Sequence, residues 1–409
     1  MQTHSVLRLI ALAVLLGGCT EQSVPETSGP VVNGIAAGEN SLGPRLARGA
    51  DDVTILSWME RDEKGATLKF STLEDGKWQA PVAVISDPEM FVNWADLPAV
   101  TPIRDDLWVA HWLSYSADGV YSYDVLTAQS NDQGQSWSNA VRPHADGTPT
   151  EHGFVSVYPE VDGTGLLWLD GRKMINETAA DPTANGMTLR STILTPDGSL
   201  QGKSVVDELI CDCCQTDVAI AADGPVAVYR DRTIDEIRDI FVTRFVDGAW
   251  QPGVALAHDN WHIAGCPVNG PAIDADGQLV VAAWFTAAGG KPLVQVAVSD
   301  NSGRTFSSAM EIPAQQAIGR VGVAIIDQAS FAVSWLDTDK NGSYSINVRN
   351  MTVDGQAGPT RVVAQTRLMR IVPQMVRVAD KLVLAWTDKI GDSSEILSVA
   401  IPILGLNDS

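Results

Sequence analysis

One pattern recurs seven times along the chain: a run of β-branched and aliphatic residues that closes on a single aromatic. It reads VTILSW at Trp58, LWVAHW at Trp112, GLLWLD at Trp168, VAVYRD at Tyr229, LVVAAW at Trp284, FAVSW at Trp335 and LVLAW at Trp386, at intervals of 51 to 61 residues. Each run has the composition of a buried strand. A strand ending in a polar turn precedes it, as in TDVAIAADGP, and a strand, a tight Asp-Gly turn and a further strand follow, as in IFVTRFVDGAWQPGVALAH. Asp-Gly suits that turn because Gly accepts positive φ and Asp bonds the turn backbone. A chain of 409 residues would ordinarily split into domains, yet beyond residue 43 there is no second linker and no shift in composition. Four-stranded units of this period with a recurrent Trp are the mark of a β-propeller. The expectation is an all-β fold, a seven-bladed β-propeller of four-stranded antiparallel blades over residues 44–409, with six blades as the alternative. The last unit lacks an outer strand after EILSVAIPIL, which predicts that residues near Val31 to Ile35 supply it and latch the ring.

The N-terminus, MQTHSVLRLIALAVLLGGCT, carries one early positive charge, an apolar run from Leu9 to Leu16, and Leu-Gly-Gly-Cys ending at Cys19. The layout is that of a secretory signal over residues 1–18, too short to span a bilayer stably. Its small residues before a cysteine resemble the lipobox of bacterial lipoproteins. That resemblance implies lipidation of Cys19, anchoring in the cell envelope, and, with Thr at position 20, the outer membrane. Residues 20–43 are polar and rich in Pro and Gly, as in a linker. The net charge is −22, and it becomes more negative once Arg8 leaves with the signal. An acidic body of this kind disfavours nucleic acid as a partner. The partners expected are the membrane through the lipid anchor and a carbohydrate or other anionic small ligand, with the protein a monomer.

Two turns are sharper than the rest. Ser130-Asn-Asp132-Gln-Gly134-Gln-Ser136-Trp137 matches the pattern S-x-D-x-G-x-[ST]-[WF], and Ser299-Asp-Asn301-Ser-Gly303-Arg-Thr305-Phe306 matches it with Asn for Asp. This Asp-box, with the seven repeats, resembles the sialidase-like (BNR-repeat) β-propeller superfamily across the whole mature chain. The segments CDCCQT, YRDRTIDEIRDI and GCPVNGP look like those of an uncharacterised bacterial subgroup labelled sialidase-like. The resemblance implies a site on the face opposite the Asp-boxes, with an arginine triad for a substrate carboxylate, a Tyr nucleophile activated by Glu, and an Asp acid/base.

If successive strands alternate in direction, the Asp-box turns open on one face. The loops leading into each innermost strand, and those after each marker aromatic, open on the other. That second face collects the candidate residues. Arg45, Arg320 and Arg370 lie on blades one, six and seven, adjacent around the ring, and planar guanidinium donors match a carboxylate. The first of them stands in Pro-Arg-Leu-Ala, which shares only its Arg with the Arg-Ile-Pro of sialidases. Arg230, Arg232 and Asn269 are further ligand-binding candidates. Asp96 is the acid/base candidate by position and Tyr115 the candidate nucleophile. Asp231 or Glu236, taken with Asp170, would make a carboxylate pair for glycoside hydrolysis. His152, in TEHGFVSVYPE, is a candidate base or metal ligand.

The same face receives Cys211, Cys213 and Cys214 on blade four and Cys266 on blade five, so four thiols far apart in sequence meet. Three readings stand. Disulfides suit an oxidising compartment, with Cys266 joined to one of the trio. A zinc or copper ion suits the spacing of Cys211 and Cys214, with Cys266 a third thiolate and Cys213, His258 or His262 completing the site. A redox-active pair comes third, because no thioredoxin-like βαβ pattern is present. The function expected is a tethered propeller that binds or processes an anionic carbohydrate, a glycoside hydrolase of sialidase-like type if it is an enzyme. The alternative is a metal-binding or disulfide-stapled scaffold.

Overall fold

The computed structural model describes residues 35–49, 53–104, 106–175 and 182–403. Its strands form seven antiparallel sheets in chain order, each built from consecutive strands. The innermost strands are Ser41–Arg48, Ala99–Arg104, His152–Glu160, Asp217–Ala221, Ala272–Asp276, Ala317–Asp327 and Gln374–Val378. Each packs beside the next, and the seventh packs beside the first, so the sheets close into a ring. The chain is a seven-bladed β-propeller.

The repeat explains itself in the core. Neighbouring blades are welded by separate apolar clusters, one at each of the seven interfaces. All seven marker aromatics are buried. An indole or phenol in a core needs a partner for its polar atom. Trp58 donates to Glu60 at 3.0 Å, Trp112 to Asp87 at 3.2 Å, Trp168 to Asp170 at 3.0 Å, Tyr229 to Asp207 at 2.7 Å, Trp284 to Asp259 at 2.8 Å and Trp335 to Asp337 at 3.4 Å. Several acidic residues that the sequence places near the functional face are therefore acceptors for core aromatics.

Both Asp-boxes follow the third strand of their blades, and the second one joins it to a fourth strand, Met310–Ile312. Asp132 accepts the Ser136 N–H at 2.8 Å and hydroxyls from Ser130 and Ser136, while Asn301 accepts the Thr305 N–H at 2.9 Å and the Ser299 hydroxyl at 2.9 Å. The Asn thus reproduces the acceptor role of the Asp. Gly134 has φ of 82°, and a Cβ there would lie 2.4 Å from the Phe70 ring of the preceding blade. The turn is pressed against its neighbour, and only glycine fits.

Val31 to Gly34 lie outside the described residues, and Ile35 belongs to no strand; it packs with Ala37 against the cluster between blades seven and one. Among the described residues, blade seven has three strands. The ring is joined by the innermost strand of blade one: the Gly43 N–H donates to the Thr387 hydroxyl and the Ile396 N–H to the Ser41 hydroxyl, each at 3.1 Å. That strand starts at Ser41, three residues before the expected domain boundary. Cys19 also lies outside the described residues. Among those described, no helix is long and apolar enough to cross a membrane.

Candidate active site at the channel mouth

The innermost strand of every blade is a sheet edge, and its free N–H groups need acceptors. Side chains of the preceding blade supply them. Asp96 accepts the Phe154 N–H at 2.7 Å, Asp217 the Ile273 N–H at 2.9 Å and Asp274 the Ile325 N–H at 2.7 Å. Asn269 does the same for the Arg320 N–H at 2.9 Å and donates to the Ile318 carbonyl at 3.0 Å. Two candidate site residues, Asp96 and Asn269, thus also clasp blade to blade around the channel.

Asp96 has a second partner. The Tyr123 hydroxyl, at the start of the third strand of blade two, lies 2.9 Å from Asp96 Oδ2 and 2.7 Å from Glu151 Oε1. A phenol has one proton to give. With two carboxyl oxygens in contact, one bond is donated by the phenol and the other requires a proton on a carboxyl group. Burial drives the same result, pushing Asp96 up to about 7 and Glu151 up to about 8, while the bonds to Tyr123 pull the other way. Arg45, half-buried on the innermost strand of blade one, sends its positive field to Asp96 and Asp217. The cluster is a proton-holding Asp–Tyr–Glu constellation at the channel.

The mouth itself is partly covered. The segment containing Trp94 to Asp96 reaches across the ring: Gln215 of blade four donates to the Ala95 carbonyl at 2.9 Å, and Arg320 of blade six stacks 4.9 Å from the Trp94 ring. Arg320 also donates to the Val268 carbonyl, and burial pulls its guanidinium down to about 10.

The remaining candidates distribute as follows. Arg230 is 1% exposed, stacked on Trp261, and spends its donors on the carbonyls of Asn269, Arg238 and Phe285. Burial takes it down to about 9. It is a brace between blades four and five, too deeply buried to meet a ligand at the mouth, which corrects its expected role. Arg232 is tied to Glu236 and to Asp212 at 3.0 Å. Glu236 also holds Arg238; burial opposes its ionisation, but these arginines keep its carboxyl below the ordinary range. Asp231 is buried and pushed up to about 7, first by desolvation and then by Asp207. Tyr115 is exposed, with its ring edge against Phe91, and is not the tyrosine that meets the carboxylates. Arg370 and His262 are exposed.

The cysteines do meet. Cys211 is bonded to Cys214 and Cys213 to Cys266, with Cα separations of 5.8 and 6.0 Å. The second bridge ties the loops leading into blades four and five. The four sulfurs are thus arranged as two staples, and Cys211, Cys213 and Cys214 keep their sulfurs within 4.8 Å of one another. Arg238 packs on it, with a guanidinium nitrogen 3.5 Å from Cys211 Sγ.

Tyr123 and Glu151 are the functional candidates that sequence reasoning missed. Glu151 directly precedes the innermost strand of blade three, and Tyr123 opens a third strand that starts on the same face. The strand-direction rule that selected Asp96 places both of them there as well.

No protein-family profile matches the chain, and no curated protein matches its sequence. Solved structures do match in fold. A polysaccharide lyase of family PL25, an ulvan lyase solved with -[GlcA(1-4)Rha3S]- bound, is 10% identical and superposes with a TM-score of 0.53, covering 90% of this chain and 97% of its own. Trypanosoma rangeli sialidase is 12% identical with a TM-score of 0.48, covering 80% and 57%. The Hadza microbial sialidase Hz136 is 13% identical with a TM-score of 0.45, and the chain spans 63% of its length. The ulvan lyase likeness bears on the fold, the same propeller architecture carried by a very different sequence.

Proposed function

We propose that the protein is a sialidase-like propeller lipoprotein, tethered through Cys19 to the outer membrane, that binds or processes an anionic carbohydrate at the mouth opposite its Asp-boxes. The observation that carries this reading is the Tyr123 hydroxyl held between Asp96 and Glu151. Such a cluster keeps a carboxyl proton available near neutrality for general acid work on a glycosidic oxygen, with the partner carboxylate ready to take a proton back and the Tyr123 phenol, held protonated by burial, bridging the two. Arg45 supplies the nearest positive field for a carboxylate or sulfate on the sugar. Trp94, stacked under Arg320, offers an aromatic surface to a sugar ring at the same mouth. That an ulvan lyase with an acidic saccharide bound has this architecture supports the substrate class.

The test is to incubate the purified protein with panels of sialylated and uronate-containing oligosaccharides and to follow products by mass spectrometry and binding by calorimetry. Turnover or binding is expected with at least one acidic glycan. It should fall by at least 100-fold in Tyr123→Phe and Glu151→Gln, and persist in Asp132→Asn on the opposite face. Equal activity in all four proteins would overturn the assignment of the mouth.

A further inference from the structure

A second cluster lies off the channel, between blades two and three, where the loop 142–150 packs on the innermost strand of blade three. His152 is fully buried. Its Nδ1 lies 3.1 Å from the Thr150 carbonyl and 3.3 Å from that of Tyr123. Carbonyls only accept, so Nδ1 carries a proton. In a neutral ring Nε2 is then a bare lone pair. That atom is buried without a hydrogen-bond partner, 3.3 Å from Asp146 Oδ1 and 3.8 Å from Asp170 Oδ2. A lone pair facing two carboxylates is repulsive unless a cation lies among them, a place taken in part by the Arg172 guanidinium. Asp146 Oδ2 faces Arg172 NH2 at 3.1 Å and His144 Nδ1 at 3.3 Å.

We propose that His152 Nε2, Asp146 and Asp170 form a binding site for a divalent transition-metal ion of the zinc or manganese class. The three ligand atoms lie within 4.8 Å of one another. One imidazole nitrogen with two carboxylates suits these ions better than calcium, which takes oxygen ligands throughout. An Nδ1–H bound to a backbone carbonyl is the usual support for a metal-ligating histidine, since it fixes the tautomer and the ring. Arg172 now bridges the two carboxylates, with NH2 at 2.6 Å from Asp170 and 3.1 Å from Asp146. Metal binding would compete with that arginine. Arg172 also lines a cleft of about 230 Å³ with His144, Arg190 and Lys203, so the displaced guanidinium has an open place to go. The alternative occupant is a second proton on His152, making it a cation paired with Asp146.

Isothermal titration of the chelator-treated full chain with zinc chloride and with manganese chloride separates the two. One saturable equivalent of either ion is expected in the wild type, weakened at least tenfold in His152→Gln and in Asp146→Asn. Circular dichroism checks that both variants keep the β fold. No saturable binding, or binding unchanged in both variants, overturns the site and leaves the ion pair. Should neither variant fold, the visible spectrum of the cobalt-loaded wild type decides. Weak d–d bands without a thiolate charge-transfer band support the nitrogen and oxygen site. A thiolate band, or no uptake, overturns it.

Discussion

At the scale of single residues, what distinguishes this propeller is how few of its buried charges are spare. Arg230 braces three carbonyls, Glu60, Asp170 and Asp337 hold indoles, and Asp217 and Asp274 cap strand edges. Asp96 does such structural work and also meets Tyr123. Its raised value has a consequence for stability. A carboxyl group raised from 3.8 to about 7 binds its proton more tightly in the native state than in the unfolded chain. The contribution is fully present below the ordinary value and is lost as pH rises through about 7, at a slope of at most roughly 1.4 kcal/mol per pH unit. Asp231, raised to about 7, and Asp274, raised to about 6, act in the same direction. His111, taken down to about 3 chiefly by burial, acts in the opposite sense, its contribution present above 6.5 and lost as pH falls. The thermal midpoint is therefore expected to decline as pH rises toward about 7, with Glu151 extending the decline to about 8, and to level off above. Asp96→Asn, which is neutral throughout, should flatten part of that decline, as differential scanning calorimetry across the range would show.

At the scale of the element, the blade was legible because its strands read as period-two and buried runs and its turns carry Asp-Gly. The Asp-box is the sharpest case. Asp132 and Asn301 hold the same N–H four residues on, so the acceptor oxygen and not the charge makes the turn. Asp132→Asn is expected to leave the urea-unfolding midpoint close to wild type, whereas Asp132→Ala, which strips the acceptor, should lower it. What the sequence hid at this scale is pairing across blades. Tyr123 reads as one more strand residue, and its meeting with Asp96 and Glu151 depends on the spacing of two blades that no local pattern encodes. The arginines misled for a related reason. A guanidinium placed on the right face by strand direction, as Arg230 is, can still be consumed by carbonyls brought in from blades four and five.

For the whole molecule, ring closure is the organising fact, and the seven repeats gave away their number while the joint stayed obscure. An outer strand for the last blade, supplied from near Val31 to Ile35, was the expectation, and most of that segment lies outside the described residues; those described join blades one and seven through hydroxyls and a shared apolar cluster. The Cys213–Cys266 bridge adds a covalent tie between blades four and five. It closes a loop with a sequence separation of 53, for which restricting the unfolded chain is worth about 4 kcal/mol. Reduction, which opens both bridges, should lower the unfolding midpoint of the native protein, and Cys213→Ser/Cys266→Ser should reproduce the larger part of the shift without reductant. A midpoint indifferent to reductant would remove the staple from the account.

The central claim is that Asp96 and Glu151 share the Tyr123 hydroxyl and retain a carboxyl proton close to neutrality. Difference infrared spectroscopy at pH 6, well over a unit above an ordinary Asp (~3.9), reads it directly in the carboxylic C=O stretch, with isotope-edited Asp and Glu. A protonated band is predicted in the wild type, diminished in Asp96→Asn and shifted in Tyr123→Phe. A wild-type spectrum showing only ionised carboxylates at that pH, or a band that neither substitution alters, would contradict it.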